Sequence, residues 1–199
     1  MTLNAENFIA VQSFVSNAEI DGDQVLRVVK DPSINIPDGP TYARLKDFEF
    51  HNGTIEVEVR SRLLVDDGMG RGFIGVTFRI NEDDTAFEAL YIRPTNGRCD
   101  DQVRRNHSTQ YFSYPDYKFD RLRTEFPSLY ESYADMALDE WTSMKIEVEG
   151  EHAKLYLHGG KHPVLIVNDL KRGDVKGGVA LWVDDGSEAF FRNLKITKA

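Results

Sequence analysis

Cysteine is almost missing from this 199-residue chain, in which Cys99 stands alone. A single thiol leaves no intrachain disulfide and no cysteine-based zinc site, and a reducing compartment is compatible with it. Positive charge is the scarcer sign, with 24 Lys plus Arg against 33 Asp plus Glu and a formal charge of −9. That deficit argues against nucleic acid as a partner. Long apolar runs are also missing: the longest early uncharged stretch, Asn7 to Ala18, is too short to span a bilayer, so no membrane partner is expected. No Lys or Arg precedes Arg27, so the positive n-region of a secretory signal is absent. A cytoplasmic protein is expected if Met1 is native, and a secreted one if a signal has been removed. A Gly-rich phosphate loop, a Rossmann fingerprint, a Gly-x-Ser-x-Gly elbow and a zincin helix are all absent, which argues against nucleotide-dependent chemistry.

What is present is ordinary for a globular chain: 41% hydrophobic and 29% charged residues. It must fold by burying apolar surface, and residues 1–199 are expected to form a single domain. From Gly53 to Arg62, Ile55, Val57 and Val59 alternate with Glu56, Glu58, Arg60 and Arg62, the pattern of a half-buried strand. The same period returns in Ile74, Val76, Phe78 and Ile80, and in Met144, Ile146 and Val148. Further strands are expected at 24–29, 87–93, 107–112, 154–158, 164–167, 178–183 and 190–196. Turn pairs such as Asn52-Gly53, Asp67-Gly68, Gly159-Gly160 and Asp185-Gly186 separate them. Strands this dense, joined by short turns, predict an all-β sandwich of antiparallel sheets. One segment departs from the pattern. Phe119, Leu122 and Phe126 fall at i, i+3 and i+7 before Pro127, which predicts a short amphipathic helix within an insertion over about residues 94–139.

The stretches DGDQVLRV, FHNGTIEVEVR, FEALYIRP, EWTSMKIEVEGEHAKLYLHG and GGVALWVDDGSEAFFRNLKI resemble the concanavalin A-like lectin/glucanase jelly rolls. The block from Arg93 to Glu131 resembles uncharacterised bacterial members related to the 3-keto-disaccharide hydrolase family. The resemblance implies a jelly-roll β-sandwich whose concave sheet binds a carbohydrate, in a glycoside hydrolase or lyase. The Glu-x-Asp-x-Glu strand of the glucanases is absent; Glu56-Val57-Glu58 is the nearest approach.

Strand parity proposes which residues face such a groove. Taking Ile74 to Ile80 as core turns Arg79 outward, and taking Leu90 and Ile92 as core turns Tyr91 and Arg93 outward. Taking Phe112 as core turns His107 and Tyr111 outward and Gln110 away from His107. Arg60 and Arg62 would join them if their strand belongs to the same sheet. Arg104, Arg105, Gln110 and Tyr117 complete the expected substrate-binding set from the insertion. Aromatic rings suit the apolar face of a sugar, and guanidinium groups suit its hydroxyls or a carboxylate, so an acidic carbohydrate is the expected partner. His107 and Tyr111 are the expected catalytic pair, since a Tyr or His takes the proton beside a uronate in some jelly-roll lyases.

Adjacent acids such as Asp66-Asp67 and Asp184-Asp185 read as solvated turn tips. No cofactor is required by these motifs. Jelly rolls of this superfamily often bind Ca²⁺, for which Asp21, Asp23 and Asp185 are compatible oxygen ligands. Two other readings fit the same chain: a non-catalytic lectin-like module and a protein-interaction sandwich.

Overall fold

The apolar alternation of residues 53–63 becomes a strand with Ile55, Val57 and Val59 buried and the charged residues between them half-exposed. The computed structural model describes residues 3–65, 68 and 70–199, so the Asp66-Asp67 pair and the first residue of the Asp67-Gly68 turn lie outside the described residues. In chain order the strands are β1 (Phe8–Val11), β2 (Ser13–Ile20), β3 (Asp23–Lys30), β4 (Tyr42–Leu45), β5 (Gly53–Leu63), β6 (Ile74–Ile80) and β7 (Phe87–Ile92). They continue as β8 (Thr109–Tyr114), β9 (Glu131–Ser132), β10 (Thr142–Glu149), β11 (His152–Leu157), β12 (Leu165–Val167), β13 (Gly178–Val183) and β14 (Ser187–Lys198). Three short helices, α1 (Pro94–Gly97), α2 (Gln102–Asn106) and α3 (Phe119–Glu125), all fall between β7 and β9.

Two seven-stranded sheets result, ordered β1-β4-β13-β6-β7-β8-β9 and β12-β11-β10-β5-β14-β3-β2. Every strand pairing is antiparallel. The fold is the expected two-sheet sandwich with few helices. The helix predicted around Phe119 and Leu122 is α3, and it stops before Pro127.

The central strands of the first sheet, β13, β6, β7 and β8, are buried on both faces. Their register places Val76, Leu90, Tyr111 and Leu181 on one side, and Gly75, Tyr91, Gln110 and Trp182 on the other. The first side turns to the second sheet. The other carries a layer of rings, Tyr42, Phe87, Tyr91, Phe112 and Trp182, none of them exposed. Tyr91 meets Trp182 and Phe112 with ring centres 4.8 and 5.7 Å apart. Gly75 makes room for Tyr91, since a β-carbon there would lie 2.4 Å from the Leu90 carbonyl. The loop of residues 31–41 covers this layer, where Trp182 Nε1 donates to the Gly39 carbonyl at 2.9 Å.

Burial on both faces defeats the parity argument in β8. Phe112 belongs to the outer ring layer, and Tyr111, expected outward, points between the sheets. The strand also begins at Thr109, because Asp101 caps α2 and His107 closes it. Taking Phe112 as core is what assigns Tyr111 the wrong face, and His107, outside the strand, has no place in its alternation. Arg79 is a second correction. A β-bulge opposite Gly178–Ala180 holds it at φ 55° and turns it inward, where it is fully buried. There its guanidinium donates to the carbonyls of Gly150 at 2.6 Å and Gly173 at 2.5 Å. Arg60 lies in β5, which belongs to the other sheet.

Candidate functional site

Where β6 begins and β7 and β13 end, a cavity of about 550 Å³ opens beside the ring layer. Tyr91 and Arg93 line it from the end of β7, Phe119 and Arg123 from α3, and Asp184 and Asp185 from the turn between β13 and β14. Asn96, Arg104 and His107 close another side, and Asp38 enters from the covering loop.

Arg93 organises one side. It is 5% exposed, and its Nη2 donates to Tyr91 Oη at 2.6 Å and to Gln110 Oε1 at 3.1 Å. Its Nη1 donates to the His107 carbonyl at 2.9 Å and lies 3.5 Å from Glu131 Oε1. Gln110 thus joins the Arg93 cluster, on the same face of the sheet as Tyr91. Glu131 gathers the cations, with Arg123 Nε at 3.0 Å, a further Arg123 Nη2 contact, and His107 Nε2 at 3.5 Å. Burial lowers the His107 imidazole below its ordinary range against the opposing pull of Glu131, so the ring is neutral at pH 7. The Tyr91 phenol is raised well above its usual range by burial.

Asp38 and Asp184 organise the other side. Asp184 Oδ1 accepts from Lys30 Nζ at 2.6 Å, and its Oδ2 accepts the Asp38 backbone N–H at 2.8 Å. Asp38 Oδ2 accepts the Phe119 N–H at 2.8 Å, which ties the covering loop to α3. Among the described residues no cation bonds the Asp38 carboxyl. Burial first, and the charge of Asp184 second, push it up to about 7. A carboxyl in that range can give or take a proton near neutrality. Asp184 is also raised by burial, though Lys30 opposes the rise.

Arg104 completes the lining. Its guanidinium donates to Asn96 Oδ1 at 3.2 and 3.3 Å and to Thr95 Oγ1 at 3.3 Å, with no carboxylate partner among the described residues.

Of the expected site residues, the structure gathers Tyr91, Arg93, Arg104 and His107 at the cavity, with Gln110 behind them. Arg105 instead bonds Tyr133 Oη at 2.9 Å, and Tyr117 lies under Arg121, 4.2 Å from its ring centre. Tyr111 Oη donates to Glu88 Oε2 at 2.6 Å and accepts the Lys171 N–H at 2.8 Å, away from the cavity. Arg60 bonds Asp21 and Asp139 on the second sheet.

The Ca²⁺ candidates do not converge. Asp21 pairs with Arg60, Asp23 with Arg192 and Asp185 with Lys30. Asp23 and Lys30 stand at opposite ends of β3, so Asp185 is a strand's length from the other two. Among the described residues no group of three or more His, Cys, Asp or Glu is placed to hold a metal ion.

Sequence reasoning missed Asp38, Asp184, Glu131 and Arg123. Asp184 had looked like a solvated turn tip, and Glu131 carried no local signal.

The model of the 3-keto-alpha-glucoside-1,2-lyase-like domain matches residues 10–197. The chain belongs to that family. No curated protein matches its sequence. Solved structures show how the fold of this family member recurs at low identity. The carbohydrate binding module CBM66 from Bacillus subtilis is 16% identical with a TM-score of 0.59, covering 93% of this chain and 94% of that one. A "putative glycosyl hydrolase" from Parabacteroides distasonis is 18% identical with a TM-score of 0.62 over 98% and 95% of the two chains. A Bacillus subtilis protein with a galectin-like fold is 10% identical with a TM-score of 0.57 over 98% and 90%. At these identities the likeness is one of fold. Among the described residues, no helix is long and apolar enough to cross a membrane.

Proposed function

We propose that the cavity binds a small saccharide or the end of a glycan, and that Asp38 exchanges a proton with it. The observation that carries this reading is the Asp38 carboxyl, 2% exposed, bonded to no cation among the described residues and set in the cavity wall with Arg93 and Tyr91. Phe73 and Phe119 offer ring faces suited to the apolar side of a sugar. Asn96, Arg104 and Asp185 supply the polar groups that fix hydroxyls. The rings on the outer face of the first sheet are covered, so they offer no open platform for a length of polysaccharide. That favours recognition of one or two sugar rings.

His107, neutral and half-buried, is the second group able to handle a proton. Arg104, whose charge meets no carboxylate among the described residues, is the residue through which an acidic sugar would be preferred. The family's lyase-like description and the carbohydrate-binding description of CBM66 both point toward glycans.

A second reading has its own support. Glu56 and Glu58, the nearest approach to a glucanase pair, lie on the second sheet and bond Lys195 and Arg192. With that pair diverted, a non-catalytic lectin-like module is the alternative.

Thermal unfolding against a panel of mono-, di- and oligosaccharides, followed by product analysis, separates the readings. A ligand at one hundred times its dissociation constant stabilises by about 2.7 kcal/mol. The proposal expects equal shifts from short and long members sharing an end, with Asp38→Asn keeping the shift and losing any product. Binding without product in the wild type supports the lectin reading. No shift across the panel returns the chain to the protein-interaction class.

A further inference from the structure

Lys30 ends β3 with its ammonium buried among three oxygens: Asp184 Oδ1 at 2.6 Å, Asp185 Oδ1 at 2.6 Å and the Ile36 carbonyl at 2.9 Å. An ammonium has three N–H bonds to donate, so this set uses all of them. Carboxylates joined by a backbone carbonyl are also the donors that a hard cation such as Ca²⁺ selects. The three oxygens come from two segments far apart in sequence, the loop of residues 31–41 and the turn after β13.

We infer that Lys30 is the built-in cation of this cavity, a covalently attached ammonium that gathers the two segments as a bound metal ion would and fixes Asp184 in place. The consequences run outward from it. Asp184, held on one oxygen by Lys30, holds the Asp38 N–H with the other. Asp38 sits at φ 50°, a conformation that needs outside support. Its carboxyl then receives the first N–H of α3. Lys30 is thus a positioning residue that acts on the cavity wall through Asp184.

The local charges agree with this assignment. Lys30 faces Asp184 and Asp185 on the turn, while the charges of Arg93 and Lys118 act on Asp38. One ammonium neutralises the buried Asp184, and the second negative charge stays on Asp185, whose side chain is 58% exposed and solvated. A metal ion has no role left to fill at this corner. The inference concerns the same cavity but not its ligand, so its test needs no saccharide and can fail independently of the saccharide reading.

The experiment is thermal unfolding of the full chain, wild type and Lys30→Ala, in EDTA and then with CaCl₂ added. The wild type should melt at one temperature in both. Lys30→Ala should melt lower in EDTA and recover part of the loss as Ca²⁺ fills the vacated oxygens, with saturable heat on titration. A wild-type melting point that moves with EDTA or Ca²⁺ overturns the inference, and so does a Lys30→Ala protein that ignores Ca²⁺. Should that variant fail to fold, Lys30→Met keeps the stem and removes the charge. Its loss of stability should be larger at about pH 8 than at about pH 5, where acid can neutralise the stranded carboxylates. Equal losses at both would reduce Lys30 to packing and overturn the assignment.

Discussion

The backbone N–H of Asp38 donates to Asp184 Oδ2 at 2.8 Å, which sets two buried carboxyl groups side by side at the head of the cavity. They differ in their partners. Asp184 has the Lys30 ammonium, and among the described residues the Asp38 carboxyl has only the Phe119 N–H. The proton therefore belongs to Asp38, and its affinity is a property of the fold that solution measurements can reach.

The stability consequence of Asp38 has a definite sign. An acid whose folded pKa is raised holds a proton in the native state that the unfolded chain has already lost. Stability from this group is full below its unfolded value of 3.8, falls as pH rises toward 7, and is flat above. The full span corresponds to about 4 kcal/mol. Asp38→Asn should remove this slope and make the protein more stable than wild type at about pH 8, with little change at about pH 4. Urea unfolding at the two values checks it. A variant less stable than wild type at the higher pH would refute the unpaired-carboxyl reading.

Glu131 is the opposite case, a buried carboxylate set between the guanidinium groups of Arg93 and Arg123, with the His107 ring beside it. Removing its charge strands Arg93, which lies within the fold and has no other carboxylate in contact among the described residues. Breaking a buried pair in this way costs about 3 kcal/mol. Glu131→Gln should lose roughly that much in denaturant unfolding. It should also lower the His107 titration further, since Glu131 is the stronger of the two carboxylates, with Asp101, that raise it. NMR titration of the imidazole reads the second effect, and an unchanged His107 would contradict the contact.

Tyr111 offers a direct test of the corrected strand face. Its hydroxyl satisfies Glu88 and the Lys171 N–H between the sheets. Tyr111→Phe leaves both short of a partner and should cost about 1–3 kcal/mol. Saccharide affinity and any turnover should stay at wild-type levels once the protein is folded. A stable variant with lost turnover would restore Tyr111 to the chemistry.

How much of this was legible depended on whether polarity alternated. In β5, Ile55, Val57 and Val59 alternate with charged residues, and the strand and its faces follow from the sequence. In β6, β7 and β8 both faces are covered, so Phe112 and Tyr111 give no sign of which side is which. Arg79 is turned by a bulge that exists only because β13 pairs with β6 out of step, a relation between residues about a hundred positions apart. The cavity was half legible for the same reason. Tyr91, Arg93, Arg104 and His107 cluster in sequence and were found. Lys30 and Asp184 meet across 154 positions, and no local pattern marks either. A signal for α2 did exist, since Asp101 accepts the N–H groups of Val103 and Arg104 as a helix cap.

Arg104 decides whether an acidic sugar is preferred. Among the described residues its side-chain partners are Asn96 and Thr95, which accept hydrogen bonds from it without neutralising it and leave its charge to a ligand in the cavity. A charge-assisted bond from guanidinium to carboxylate contributes about 1.5–3 kcal/mol, or roughly tenfold to a hundredfold in affinity. Arg104→Gln keeps a donor but removes the charge. Calorimetric titration with a matched pair, a neutral sugar and its uronic acid, should then show at least about a tenfold loss for the acid and little change for the neutral partner. Raising the salt concentration should weaken the wild-type acid complex in the same selective way, because screening acts on the charge and not on the hydroxyl contacts. Equal losses for the two sugars would mean that Arg104 reads hydroxyls, and the acidic preference would have to be given up while the cavity itself stood.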